Sequence, residues 1–385
     1  MNLALSDEQV LLREAARGAL SRHKTLEAAR EALDGEGQLP DLWATAKEAG
    51  WPGLLIAEAH GGAGLDAFDA MLVMQECGRV LASIPLLGHL PASAILNESS
   101  LDDELLQALA SGERRAAYLP AKPSSDVEPQ WTVDPAHGLV RAALPSANPA
   151  DDGSRDGTGG GQQVTVTGAV HFVPDAPGAD VLVGVAKLGD DIVGVAIDAN
   201  ATGVSIEAIT RYDATRLLGH VTLSSAPATV LDAGESILSE AWHLAQALIA
   251  AESVGAVEMA LEVSVAYAKE RHTFGRAIGS YQAVKHSLTE VLRQLENGRS
   301  LLYYAGWSRQ GAPDEFPLAA NALRSVAGRA LDHAARTMIS VHGGIGATWE
   351  HDAPLYFRRA QLSRRLLGGT GAATDRVAGE LIATA

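Results

Sequence analysis

Hydrophobic residues change rhythm along this chain, and each rhythm predicts a different kind of element. In the first part Val10, Leu11, Ala15 and Leu20 recur at helical spacing behind Ser6 and Gln9, which fit a capping box. A second helix is predicted over about 42–49, stopped by Gly50, and another over about 67–81 after a glycine-rich connection. The segment 101–113 closes this helical part, again at a glycine. From about Arg115 the pattern turns to short β-branched runs separated by Gly, Asp or Pro, as expected of strands joined by hairpins. Within it, residues 147–163 are polar and of low complexity, which predicts a flexible surface hairpin loop. After about Gly234 helical spacing returns. Leu244, Leu248, Ala251, Val254, Leu261 and Val265 fall on one face of a long helix, followed by helices over about 281–310, 317–340 and 354–366 and a weaker one to the end. The expected fold is α+β and multidomain: an N-terminal α-helical domain (1–114), a middle β-barrel or sandwich (115–233) and a C-terminal four-helix bundle (234–385).

Composition narrows the functions. The 385 residues are 47% hydrophobic, enough for a sizeable core, and the formal net charge of −17 argues against nucleic acid as a partner. A single cysteine, Cys77, excludes an intramolecular disulfide framework and sits in an apolar helix as a core residue. No run has the length and apolarity of a membrane span, and residues 1–5 lead straight into helix-start chemistry rather than a signal peptide. A cytoplasmic location is expected.

Against that acidic background, residues 268–287 (AKERHTFGRAIGSYQAVKHS) gather Lys269, Arg271, Arg276, Lys285 and His286 around a glycine-bearing break. Arg271 offers a planar fork suited to a phosphate pair, Thr273 a hydroxyl, Phe274 apolar surface for a ring, and Gly275 and Gly279 a backbone that turns tightly. Taken alone, the stretch is either a solvated basic helix end or a seat for an anionic ligand. Other clusters point less far. Glu350, His351 and Asp352 are consecutive, and consecutive side chains rarely converge on one ion, so loop chemistry is expected and no metal. The lone His171, His286 and His342 are read as structural or cofactor-adjacent. The pairs Arg358–Arg359 and Arg364–Arg365 read as a helix face at a subunit interface.

The order of these segments resembles the acyl-CoA dehydrogenase family over nearly the whole chain. The segment RHTFGRAIGSYQAVKHSLTE is similar to the family's Arg-x-x-Phe-Gly motif with its following Gln, and HGGIGATWEHDAPLYFRRAQ (342–361) to its Gly-Gly-x-Gly segment. The resemblance implies FAD as cofactor, an acyl-CoA substrate, α,β-dehydrogenation, and an electron-transfer acceptor. It also implies that Arg271, Thr273, Phe274, Gln282, Gly343 and Gly344 contact the FAD of a neighbouring subunit.

Other positions depart from the family. Its base, a Glu after the Arg-rich helix, falls by counting at Leu367 or Gly368, and its alternative place on the first bundle helix falls near Ala245. None of these residues accepts a proton. Glu252, a candidate substitute carboxylate, lies about two turns beyond Ala245, too far along the helix axis for a simple substitution. Where the family places flavin-contacting residues, this chain has Tyr118–Leu119 for Thr-Glu, Phe172 for Trp and Pro174 for Thr, with Pro120, Ser124, Ser125 and Asp126 retained. Ser340 stands for a Gln. The resemblance therefore implies the base-lacking subunit of a hetero-oligomer, of α2β2 type as in bacterial members acting on steroid side-chain CoA thioesters. Two alternatives stay open: a homo-tetrameric flavoenzyme with a displaced base, and a non-catalytic scaffold of the same fold.

Overall fold

The computed structural model describes residues 4–33, 39–99, 103–120, 131–134, 138–141, 144–150, 161–209 and 213–383. The N-terminal helices are α1 (Asp7–Leu20), α2 (Thr25–Leu33), α3 (Trp43–Glu48), α4 (Ala67–Arg79), α5 (Leu86–Asn97) and α6 (Asp103–Ala110). The expected capping box is present: the Gln9 amide donates to Ser6 Oγ at 3.2 Å and the Ser6 amide to Gln9 Oε1 at 3.1 Å. Helix α5 was not expected, because Pro91 lies inside it and prolines usually interrupt helices. Packing overrides that cost, since Leu86, Leu87, Leu90, Ile95 and Leu96 are all buried.

The strands are β1 (Ala116–Tyr118), β2 (Trp131–Asp134), β3 (Gly138–Arg141), β4 (Ser146–Pro149), β5 (Gln163–Pro174), β6 (Val181–Leu188), β7 (Asp191–Asp198), β8 (Val204–Ala208) and β9 (Leu218–Leu231). Pairing runs β4–β5–β9–β7–β6 and returns from β6 to β4, which closes a small barrel. Strand β1 adds to β6 in parallel and β8 to β9 antiparallel, while β2 and β3 form a separate hairpin. The barrel has its own core of Val164, Val166, Val173, Leu182, Ile197, Val221 and Leu223. Most of the stretch predicted as a flexible loop, 151–160, lies outside the described residues. Its flanks belong to β4 and β5, which pair with each other.

The C-terminal part holds α7 (Glu235–Glu270), a two-residue hairpin β10 (His272–Thr273) and β11 (Arg276–Ala277), then α8 (Gln282–Gly311), α9 (Phe316–His342), α10 (Ala353–Ser363) and α11 (Gly369–Ala383). The sequence pattern predicted one apolar face for α7. The structure instead buries residues 241–258 on every side, because α4, α5, α8, α9 and α10 all pack around it. Helices α4 and α7 cross at paired glycines. A Cβ on Gly78 would stand 1.9 Å from the carbonyl oxygen of Glu252, and one on Gly255 1.8 Å from that of Gln75. No helix among the described residues is long and apolar enough to cross a membrane.

Candidate functional site

The end of α7 builds an outward-facing rim. Arg271 caps the helix in extended conformation, its amide donating to the Tyr267 carbonyl at 2.8 Å. The chain then reverses through Phe274 (φ +49°) and Gly275 (φ +80°), a turn with both central residues left-handed that joins β10 to β11. Glycine adopts this conformation freely, but an aromatic residue does so only under strain, and it leaves the Phe274 ring 97% exposed. The Tyr281 hydroxyl donates to the Thr273 carbonyl at 3.2 Å, and the Arg276 guanidinium lies 4.1 Å above the Tyr281 ring, which braces the hairpin from behind.

Thr273, Phe274, Ile278 and Tyr281 face Thr337, Ser340 and Val341 of α9 across a groove of about 500 Å³. This brings Thr273, Phe274 and Ser340 to one place. Arg271 and Gln282 lie exposed at the two ends of the hairpin segment, and Gly343 and Gly344 follow Val341 past the end of α9, also exposed. Cβ atoms added at Gly275, Gly343 or Gly344 would meet nothing within 4 Å, so the chain itself leaves these backbones open to approach. Sequence reasoning missed Tyr281 and Arg276 as braces. Their spacing of five residues carries no pattern until the hairpin folds.

The other half of the expected site is closed. Ala245 is fully buried and Leu367 is 7% exposed. Leu367, Gly368 and Gly369 all have positive φ, and the Gln246 side-chain amide donates to the Leu367 carbonyl at 2.9 Å, pinning this turn to α7. A Cβ on Gly368 would lie 3.5 Å from the Trp242 ring. Below the turn, Arg324 is completely buried. Its Nη2 donates to the carbonyls of Ser363 and Leu366, while Nε and Nη1 have no partner. Burial without a carboxylate in contact lowers this guanidinium to about 10.

Glu252 lies in the same interior, 3% exposed, and is fully engaged. One oxygen accepts from Arg216 and the other from Arg359 Nη1 at 2.6 Å, so neither is free to take a substrate proton. Arg359 also donates through Nε to Asp213 Oδ2 at 2.9 Å and through Nη2 to the Thr215 carbonyl at 2.7 Å. Burial raises the Asp213 carboxyl, but Arg359, the Thr215 hydroxyl and amide, and Arg216 outweigh it and hold the group below its ordinary value. Arg359 is thus not part of an exposed interface face, as the sequence suggested, but a 1% exposed knot joining the segment before β9 to α7 and α10. Its neighbour Arg358 does lie near the surface, 4.4 Å above the Trp349 ring.

On the barrel side, Tyr118 and Leu119 are 1% and 2% exposed, and the Leu119 amide donates to Val183. Phe172 has positive φ and packs edge-on against His220, which shares a 3.0 Å hydrogen bond with His171. Ser124, Ser125 and Asp126 lie outside the described residues. His342 is buried between Tyr267 and His351, with ring centroids 4.3 and 4.1 Å away, and Asp352 pairs with Arg30, so the 350–352 segment serves a loop. Among the described residues no group of three or more His, Cys, Asp or Glu could hold a metal. Cys77 is fully buried, and burial pushes its thiol up.

Residues 6–122 match the acyl-CoA dehydrogenase N-terminal domain, and residues 232–382 match the acyl-CoA dehydrogenase C-terminal domain. The chain is 30% identical to acyl-CoA dehydrogenase IpdE2 of Mycobacterium tuberculosis over 364 residues, covering 94% of this chain and 93% of that protein. It is 32% identical to acyl-CoA dehydrogenase FadE34 of the same organism over 391 residues, covering 98% of this chain but 48% of the relative. Among solved structures, a variant of the Tcur3481-Tcur3483 steroid ACAD is similar with a TM-score of 0.83 and 28% identity, covering 98% of both chains.

Proposed function

The chain belongs to the acyl-CoA dehydrogenase family, and on that premise we propose that it is the base-lacking subunit that completes the FAD site of a catalytic partner. Members of the family are FAD-dependent oxidoreductases acting on a CH–CH bond of an acyl-CoA. The observation that carries the proposal is the contrast between the two half-sites. The residues that would serve a neighbour's cofactor lie on an open rim, with Phe274 97% exposed, whereas the base positions are a buried Ala245 and a packed Leu367.

The rim fits FAD. Arg271 supplies a fork for the pyrophosphate, Thr273 and Gln282 supply hydrogen-bonding side chains, Phe274 supplies a face for a ring, and Gly343 and Gly344 leave the backbone accessible. This chain's own barrel side fits poorly, because Tyr118 and Leu119 are buried and Pro174 has no amide hydrogen to donate. When bound, FAD supplies the hydride acceptor. The proton acceptor would come from the partner, since Glu252 is held by two guanidiniums. That pairing also weighs against a homo-tetramer using Glu252 as a displaced base.

Two relatives support a partner of the same fold. The similar solved structure carries two protein names and is called a steroid ACAD. FadE34 is about twice as long as its match to this chain, which leaves room for a second unit of this size. A steroid-type acyl-CoA and a cytoplasmic setting with an electron-transfer acceptor complete the reading.

Flavin absorbance per chain tests it. The protein purified alone should carry no flavin, and the complex with a co-expressed dehydrogenase subunit roughly one FAD per two chains. A full complement of FAD in the protein alone would overturn the reading. Flavin retained by the complex after Arg271→Ala would favour a non-catalytic scaffold.

A further inference from the structure

On the reading of this chain as the subunit that completes a partner's FAD site, we propose that His342 is a positioning residue: its ring, stacked between Tyr267 and His351, sets the spacing of the two arms of the rim and so the affinity for the cofactor.

One arm is the hairpin after α7, with Arg271, Thr273 and Phe274, and the other is the turn after α9, with Gly343 and Gly344. Among the described residues no hydrogen bond or ion pair joins residues 268–282 to residues 337–349. The separation of the arms therefore rests on packing, and the rings connect the elements that carry them. Tyr267 lies one turn before Arg271, and its carbonyl accepts the Arg271 amide at 2.8 Å. Its ring centroid is 4.3 Å from that of His342, with the planes 32° apart, and His342 is 4.1 Å from His351 at 39°. Two rings this close cannot share one face of an imidazole, so His342 is covered on both faces. Gly343 follows it directly in the chain.

The middle ring is held firmly. His342 is 4% exposed, and its Nδ1 donates to the Met338 carbonyl at 2.7 Å, which fixes both tautomer and orientation. The glycine turn folds back onto it: a Cβ on Gly346 would stand 2.8 Å from the His342 Cβ. The outer ring is anchored too. His351 Nδ1 accepts the Ala353 amide at 3.0 Å at the start of α10, and the adjacent Asp352 pairs with Arg30 of α2. Burial holds His342 below its ordinary value, and burial, His342 and Arg30 bring His351 down to about 4. Both rings are thus uncharged at neutral pH and stack without repulsion. A rim whose arms are fixed before the cofactor arrives binds it without a further ordering cost.

The FAD dissociation constant of the complex with a co-expressed dehydrogenase subunit, read from flavin fluorescence on dilution, tests this. His342→Ala and His342→Leu should each weaken FAD binding roughly tenfold, whereas His342→Phe, which keeps a flat ring, should stay within about threefold of the parent. Leu restores bulk without a ring, so a residue that merely fills space would be rescued by Leu as well as by Phe. That outcome, or unchanged affinity in His342→Ala, would overturn the inference and leave the subunit reading standing. A parent complex without FAD would overturn the subunit reading, and this inference with it. If the His342 variants do not fold, Tyr267→Leu, at a half-buried position, should show the same loss and Tyr267→Phe should not. Equal affinities in those two variants would overturn the inference.

Discussion

Helix α7 carries two regions built on opposite principles. Its middle, around Ala245 and Glu252, is closed: charges there face one another and the space is filled by Trp242, Gln246, Arg324 and Leu367. Its end, from Arg271 through Gln282, is open: a strained turn presents an aromatic ring and donors to whatever docks there. Proton transfer needs an acid or base that a substrate can reach, and the closed region offers none. Cofactor contact needs exposed forks, faces and bare backbone, and the open region offers all of these. One helix can therefore keep a packed and paired middle while its end stays open to a docking group.

The largest expected effect comes from breaking the closed region. In Arg359→Ala, Asp213 loses its 2.9 Å partner and Glu252 one of its two guanidiniums, leaving buried negative charge poorly compensated. Removing one partner of a buried pair typically costs about 3–5 kcal/mol. Urea unfolding of the variant should show a loss of that order. A loss under about 1 kcal/mol would mean that the interior is hydrated rather than closed, and the contrast with the rim would fail.

A second change sharpens the edge of the closed region. Asp175 is 6% exposed, has positive φ, and accepts from the Gly88 amide at 2.8 Å. Burial pushes its carboxyl up to about 6, against the pull of Arg216. A raised carboxyl keeps its proton in the folded state between about pH 4 and 6 while the unfolded chain has lost it, so stability falls as pH rises through that window. Two pKa units correspond to about 3 kcal/mol. Asn keeps the acceptor oxygen and tolerates the left-handed backbone, so Asp175→Asn should remove the slope and stabilise the protein above pH 6 by up to about that amount. Identical pH profiles for the two proteins would show that water reaches Asp175.

The two regions were not equally legible in the sequence. The rim was readable because its residues are neighbours: Arg271, Thr273, Phe274 and Gly275 act through one local turn, and local turns leave local signatures. Most of the helices and strands followed from periodicity for the same reason; α2 did not, nor did α5, where Pro91 conceals the helix. The closed region is joined across long separations. Arg359 meets Glu252 and Asp213, 107 and 146 residues away, and nothing near any of the three announces the others. Adjacent arginines on an amphipathic helix look like surface, and only the fold shows that Arg359 turns inward while Arg358 does not.

The smallest stability effect belongs to the rim, where it separates the two regions most cleanly. Phe274→Gly removes an exposed ring and gives the left-handed position to the residue that adopts it most easily. Relief of backbone strain, about 1 kcal/mol, is offset by the added freedom of glycine in the unfolded chain, about 0.5–1 kcal/mol. The net change in unfolding free energy should therefore fall within about 0.5 kcal/mol of zero. In the complex with a dehydrogenase partner, the same change takes away the apolar face proposed to cover the cofactor, and FAD should dissociate roughly tenfold more readily. A variant as stable as the parent but poorer in flavin would place Phe274 in cofactor contact and not in folding. Unchanged flavin would shift the contact to Arg271 and the glycines, and the strained turn would then have no function that accounts for it.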